Sequence, residues 1–327
     1  MAITFRQLEI FIAVAETQQV TRASKKLFLT QSAVSMALGE LENQLGGPLF
    51  DRHGRSLLLN DRGRYLLPLS KQILSQVANV ETMLTEQRDT VAGVLEIVAS
   101  STIGNYVLPH LIGAFMRLHP DAHINMLVVN TMAAEHLVAK GEADLGFVEG
   151  EINIDSLVAS DWFEDELGII VNPSHKLAER SHFKIPEDLK ETSWVMREEG
   201  SGTAEIFTKK LGKHASMLKV VTKTGHTEAI KKAVESGAGA ACLSMLTVCR
   251  ETEHGWLNIL PIEGIDMRRQ LRIIQHKDKI ITRLMAEFLT FCELAAESIQ
   301  SKECLSFPSK LQSFLEKYRT EKEQQES

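Results

Sequence analysis

Two stretches of small hydroxyl residues and glycines stand where a backbone could meet an anion. Ser100-Ser101-Thr102 follows the strand-like run Val94-Leu-Glu-Ile-Val-Ala99, and Gly200-Ser201-Gly202-Thr203 directly precedes a helical pattern. The first N–H groups of a helix lack intrahelical acceptors, and the helix dipole adds to their attraction for negative charge. Glycines at 200 and 202 permit close backbone approach. Taken singly, each stretch reads more simply as an N-cap than as a ligand site. Arg197, Glu149 and His226 are further candidates. His226 offers either a pH-sensitive donor or a hydrogen-bonded structural histidine. Glu149 would repel an anion unless paired or protonated, so it is expected to orient donors or close the site; for an amino acid or another cationic ligand it would be the direct partner.

A second constellation lies near the N-terminus. From Gln31 onward, Val34, Leu38, Leu41 and Leu45 recur at helical spacing and leave Gln31, Ser32, Ser35 and Met36 on a different face. A short helix from about Thr21 to Leu27 precedes it across the link Phe28-Leu29-Thr30. Two helices joined by a short turn, the second opening on small polar side chains, suit entry into a DNA major groove. Residues 48–60 read as a small hairpin or wing with a His-Gly turn between Arg52 and Arg55, or as any exposed charged hairpin. Gln31, Ser32 and Ser35 are the base-reading candidates; Thr30, Arg22, Arg52 and Arg55 would meet phosphates or the minor groove.

The elements that must position these residues follow from length and periodicity. A chain of 327 residues exceeds one ordinary domain. Its net charge of −7 speaks against a nucleic-acid partner, but residues 1–71 carry nine Lys/Arg against six acids, +3, leaving −10 elsewhere. Phe5, Leu8, Phe11, Ile12 and Ala15 mark a first helix entered from Thr4, and Leu66 to Leu84 mark a long one over 62–87 that kinks or begins at Pro68. Thereafter strands and helices alternate: strands are expected at 94–99, 124–129, 144–148, 167–171, 218–222, 240–243, 258–261 and 271–275, and helices at 107–118, 133–140, 204–211, 227–236 and 281–299. A peripheral helix at 309–319 would end the tail.

Other function classes find little support. There is no G-x-S-x-G elbow, Gly237-Ala-Gly239-Ala-Ala-Cys242 lacks the third glycine of a dinucleotide loop, and Gly202 to Gly212-Lys213 has the wrong spacing for a P-loop. An enzyme is not expected. Cys242, Cys249, Cys292 and Cys304 form no metal-binding spacing, so no metal site, a reduced cytoplasmic chain and buried structural thiols rather than a thiol sensor are expected. Neither a membrane span nor a secretory signal is visible, which disfavours a secreted solute-binding protein.

The stretches FRQLEIFIAVAET and TRASKKLFLTQSAVSMALGELENQLGGPLFDR resemble the DNA-binding domain of LysR-type transcriptional regulators. The match is dense over the first 60 residues and, with the long helix and the α/β remainder, spans nearly the whole chain. STIGNYVLP at 101–109, NT at 130–131, DLGFVEG at 144–150 and REEGSGT at 197–203 are similar to the branch of Calvin-cycle (Cbb-type), nitrite-assimilation and sulfite-responsive (YeiE- or CysL-type) regulators. The resemblance implies an N-terminal all-α winged helix-turn-helix domain (1–60), a linker helix for dimerisation (61–90) and an α/β effector domain like the periplasmic binding proteins (91–300). That domain would comprise subdomains at about 91–162 with 267–300 and at about 163–266, followed by a tail (301–327). It puts both hydroxyl stretches on opposite lips of one cleft, with Ser101, Thr102, Thr131, Ser201, Gly202 and Thr203 as the working site. It also implies a double-stranded DNA operator, a homodimer or homotetramer, RNA polymerase as a candidate further partner, no cofactor, and a small effector such as sulfite, sulfate or nitrite. Met36 stands where relatives often carry a basic or longer polar residue, so base preference does not transfer, and Ala204 follows Gly-Ser-Gly-Thr where relatives often carry arginine.

Overall fold

The computed structural model describes residues 3–53, 56–85, 91–299 and 313–318. The chain divides into two compact units, one comprising residues 1–88 and the other nearly all of 89–327.

In the first unit, α1 (Phe5–Thr17), α2 (Val20–Lys26) and α3 (Gln31–Gln44) precede a hairpin of β1 (Phe50–His53) and β2 (Ser56–Leu59), and α4 (Asp61–Thr85) follows. Thr4 opens α1 with a reciprocal capping box: its hydroxyl accepts from Gln7 N at 3.2 Å and its N–H donates to Gln7 Oε1 at 2.9 Å. The apolar stripes of the helices meet in a core that includes Phe11, Val14, Ala23, Val34, Leu38 and Leu41, closed by Leu49 and Phe50 from the wing. Asn60 clamps the wing to α4, accepting from Gly63 N at 2.9 Å and donating to Pro48 O at 2.9 Å. Contrary to the expected break at Pro68, α4 runs through it from Asp61. The long helix therefore starts inside the DNA-binding unit, where Leu66 and Leu67 pack on the core. The expected end of that helix beyond residue 85 lies outside the described residues, as does Arg55.

The second unit begins with β3 (Gly93–Ala99), α5 (Ser101–Tyr106), α6 (Leu108–Leu118), β4 (Ala122–Val128), α7 (Thr131–Ala139), β5 (Leu145–Glu149) and the long β6 (Leu157–Val171). It continues with α8 (Glu187–Glu191), β7 (Ser193–Arg197), α9 (Gly202–Leu211), β8 (Lys219–Thr224), α10 (Thr227–Glu235), β9 (Ala241–Ser244), α11 (Cys249–Glu253), β10 (Asn258–Leu260), β11 (Arg268–His276) and α12 (Arg283–Ile299). The strands run in the order β10-β6-β11-β5-β3-β4, with β9 also on β6, while β7 and β8 form a separate parallel pair.

β6 ties two lobes together. Its first part, 157–166, pairs with β11 in lobe one, and its last residues pair with β9 and β10 in lobe two. Lobe one has a core of β3, β5, α6 and α12 side chains, among them Phe115, Phe147 and Phe288; lobe two is built around Trp194, Phe183 and Phe207. The first half of β6 went unread because its residues 158–161, Val-Ala-Ser-Asp, are exposed and show no apolar alternation. β7, α5, α8 and α11 were also missed, being five or six residues each. The tail is helical at 313–318, within the expected span, and Phe314 and Tyr318 pack on Phe291. Cys242 and Cys292 are free and buried, whereas Cys249 is disulfide-bonded, which corrects the expectation of uniformly reduced thiols; Cys304 lies outside the described residues.

Candidate functional site

The recognition surface of the first unit is set by helical phase. Val34, Leu38 and Leu41 point into the core, so Gln31, Ser32, Ser35 and Met36 are left exposed on the other face. Thr30 caps α3, accepting from Ala33 N at 3.2 Å, and its hydroxyl lies 3.1 Å from that of Ser32. The Gln31 amide donates to Thr21 Oγ1, which couples the turn to α2. Phe28 takes up the left-handed conformation in that turn (φ 55°) and is 96% exposed. Arg22, Lys25 and Lys26 lie exposed on α2. Lys26 is bonded to Glu16 at 2.7 Å, and this hydrogen bond holds the Glu16 carboxyl below its usual range. Only the backbone of Arg52, in β1, is described.

In the second unit the candidates gather at the C-terminal ends of parallel strands. β3, β4 and β5 run parallel, and Ser100, Asn130 and Gly150 leave their ends together; ligand crevices of open α/β sheets form at such ends. Ser101, Thr102, Thr131, Glu149, Arg197, Ser201 and Thr203 are all buried. Several link the lobes. Thr203 Oγ1 donates to Glu149 Oε1 at 3.3 Å, Arg197 Nη2 donates to Ser101 Oγ at 3.1 Å, and Met132 N donates to Gly200 O at 3.1 Å. Arg197 also grips Glu198 through Nε at 2.8 Å and Nη2 at 2.9 Å. Gly202 lies so close to lobe one that an added Cβ would stand 2.4 Å from Glu149 O and 2.8 Å from Thr131 Oγ1. His226 stands apart: it precedes α10 and is exposed, outside the buried cluster.

The centre of the cluster is a residue that motif reading passed over. Arg269, on β11, reaches Asp165 Oδ2 with Nε at 2.7 Å, Thr203 Oγ1 with Nη1 at 2.9 Å and Thr102 Oγ1 with Nη2 at 3.3 Å, while Glu149 Oε1 lies 3.5 Å from Nη1. One guanidinium thus crosslinks hydroxyls from both hydroxyl stretches. Asp165 is opposite Arg269 in the β6–β11 register and accepts a further bond from Ser244 at 2.7 Å. Burial pushes the Asp165 carboxyl up, against the pull of Arg269. Burial also opposes the charge of Arg269, but Asp165 and Glu149 outweigh it and hold the guanidinium protonated. The strand alternation Met267, Arg269, Leu271, Ile273 carried the signal, because it places a charge at an inward position. Phe163, Asp165, Leu167, Ile169 does the same on β6.

Two polar atoms are buried here without a hydrogen-bond partner among the described residues: Ser100 Oγ and Glu149 Oε2. Each is a place where a ligand group would gain a bond that the protein does not supply. Beside them a groove of about 840 Å³ is bordered by Thr131 and Ser201 and by the carboxylates of Glu135, Glu198, Glu199 and Glu205. Burial, with a smaller contribution from Glu205, pushes the Glu135 carboxyl up.

Comparison with known proteins decides what this pairing of units is. Residues 5–64 match the bacterial regulatory helix-turn-helix protein, lysR family, and residues 88–296 match the LysR substrate binding domain. The chain belongs to the LysR family of transcriptional regulators. Its relatives include the HTH-type regulator YeiE of Escherichia coli K12, 37% identical across 90% of this chain and 99% of that one. A protein described as a probable RuBisCO transcriptional regulator of Synechocystis is 32% identical (88% and 84%), and CysL of Bacillus subtilis is 30% identical (86% and 96%). The LysR fold is seen directly in full-length OxyR from Pseudomonas aeruginosa, with a TM-score of 0.68 and 18% identity over 90% of this chain and 94% of that one. It is seen again in CbnR complexed with its target DNA (TM-score 0.66, 21% identity, 88% and 98%) and in the regulatory domain of Synechocystis CcmR in complex with 2-PG (TM-score 0.59, 26% identity, 63% and 99%). A LysR regulator couples a DNA-reading unit to an effector-binding unit, and the two surfaces described above are placed on those two units.

Proposed function

We propose that this LysR regulator acts in the cytoplasm as a dimer through α4, or as a tetramer, and binds a two-fold-related operator with α3 and the wing. Its effector would be a small anion that also carries a hydrogen-bond donor. The observation that carries the ligand class is Arg269 held between Thr102 and Thr203 beside the unpartnered Glu149 Oε2. An oxyanion can take over guanidinium and hydroxyl donors, while Glu149 asks for an O–H or N–H. Hydrogen sulfite and hydroxy acids satisfy both demands; sulfate and nitrite satisfy only the first. The regulatory domain of CcmR in complex with 2-PG, a related domain holding a small ligand, supports this reading. RNA polymerase is a further proposed partner.

A second reading is favoured by the groove, where four glutamates face Lys209 and His136. An amino acid would place its ammonium on Glu149 or the groove and its carboxylate on Arg269. A thermal-shift screen of sulfite, sulfate, nitrite, phosphate, hydroxy acids and amino acids separates the two readings. Stabilisation by anions that Thr203→Val abolishes, with operator binding intact, supports the first. A response confined to amines or amino acids would overturn it.

A further inference from the structure

A smaller pocket of about 250 Å³ lies between α9 and β11 and adjoins the hydroxyl cluster, with which it shares Arg269. Its wall carries Lys209, Lys210, Arg268, Arg269, Gln270 and Arg272 with the acids Glu151 and Glu205. Lys209 pairs with Glu151, Arg268 with Asp266, Arg269 with Asp165 and Arg272 with Asp161, while Lys210 forms no ion pair among the described residues. The arrangement follows from two periodicities. Arg268, Gln270 and Arg272 are alternate residues of one strand face, while Lys209 and Lys210 stand one helical turn beyond Glu205 and Ile206.

The donors are only partly used. Lys210 Nζ donates to the main-chain Asp266 O at 2.6 Å rather than to a carboxylate. Arg268 spends Nε and Nη2 on Asp266, and Arg272 spends Nε on Asp161 and Nη1 on Gly150 O. Arg268 Nη1 and Arg272 Nη2 therefore meet no protein acceptor among the described residues. The ion pairs at the rim are open to water: the side chains of Lys209 and Glu151 are 63% and 67% exposed, and those of Arg268 and Asp266 are 54% and 55% exposed. The single-contact pair of Lys209 holds its partner weakly, whereas Arg268 is held in a bidentate fork by Asp266, so a doubly charged ligand recruits the lysines at smaller cost than Arg268.

We propose that this pocket binds a small doubly charged oxyanion, either inorganic phosphate or the phosphate of a small monoester, as a second effector. Its walls come from both lobes, α9 on one side and residues 150–151 on the other, and Arg269 beneath it holds Thr102 and Thr203 together. A bound dianion draws Lys209 and Lys210 toward β11 and favours lobe closure. That coupling, though not the binding itself, rests on the cleft reading above.

The test is calorimetric titration of the full chain with inorganic phosphate and with glycerol 3-phosphate, ionic strength matched with potassium chloride. Wild type and Thr203→Val should bind alike, while the double variant Lys210→Gln/Arg268→Gln should bind at least about tenfold more weakly, equivalent to about 1.4 kcal/mol. The double variant should keep wild-type operator affinity, which reports that it is folded. Arg272→Gln gives an independent second variant with the same expected direction, and broadening of the phosphorus NMR line by wild type but not by the double variant is a second readout. Retention of phosphate binding in both variants, its loss in Thr203→Val, or no heat beyond the chloride control would overturn the proposal. A Thr203→Val variant that loses the cleft response yet still binds phosphate separates the two sites. Tighter binding of glycerol 3-phosphate than of inorganic phosphate assigns the monoester as the source, and the reverse order assigns the free ion.

Discussion

Replacing Arg269 by methionine leaves Asp165 and Glu149 facing each other with side chains 1% exposed. Removing one partner of a buried pair strands the others, and a loss of about 3–5 kcal/mol in urea unfolding at neutral pH is expected. The loss should shrink on acidification, because proton uptake by Asp165 relieves the repulsion. In the wild type the sign follows from the raised carboxyl of Asp165. Its folded pKa exceeds the unfolded value of about 3.9, so its contribution is fully present below that value and is lost as pH rises through the folded pKa. Asp165→Asn should flatten this part of the stability profile; an unchanged slope would show that Asp165 does not titrate there. Protonation also leaves Arg269 facing one carboxylate instead of two, so anion affinity should rise as pH falls, and Asp165→Asn should remove that rise. Gly202→Ala tests closeness rather than charge. The added methyl meets Glu149 main chain, which cannot swing aside, so the lobes must part at a cost of about 1–3 kcal/mol and the effector response should disappear. The hydroxyls and glycines of this site were legible as helix-start signals, whereas the exposure of His226 outside the buried cluster was not, because its flanking Gly and Thr describe a cap and say nothing of burial.

At the scale of elements, α5 and α10 are latched across the lobes. Tyr106 hydroxyl donates to Glu228, and Lys231, its side chain 3% exposed, lies 5.3 Å from the Tyr106 ring while bonding Glu251 at 2.7 Å and Thr247 O at 2.9 Å. Burial, then the Glu228 carboxylate, pushes the Tyr106 phenol well above its usual range, which keeps it a donor at physiological pH. Tyr106→Phe keeps the ring for Lys231 and deletes one hydrogen bond, so stability should fall by about 0.5–1.5 kcal/mol. Effector affinity should fall as well, since the closed arrangement becomes a smaller fraction of the ensemble. Equal effector affinity in wild type and variant, measured by titration, would separate the latch from closure. Neither α5 nor the first half of β6 was legible in the sequence. A six-residue helix gives too few turns for periodicity, and strand residues 158–161, Val-Ala-Ser-Asp, are exposed and show no apolar alternation because β11 pairs only along their edge. The long elements α3, α9, α10 and α12 were legible for the opposite reason: each shows one buried stripe over at least two turns.

At the scale of the molecule, the charge of −7 is an average over two units with opposite tasks. The mild positive excess of residues 1–71 suits phosphate contact, while the net charge of −10 on the remainder repels a phosphate backbone. Arg22→Ala should weaken binding to operator and random DNA alike and lower the slope of log affinity against log salt by about 0.9, one phosphate contact. Ser35→Ala should leave the slope unchanged and relax sequence preference. Linkage ties these measurements to the cleft. If the effector changes operator affinity by some factor, the operator must change effector affinity by the same factor. Titrating effector into free protein and into the operator complex therefore measures the coupling twice, and the two values should agree. Thr203→Val should abolish both, because its hydroxyl is the point where Arg269 of β11, Glu149 of lobe one and α9 of lobe two meet. A variant that still binds effector normally but no longer alters operator affinity would instead place Thr203 on the route between the units and not in the ligand site.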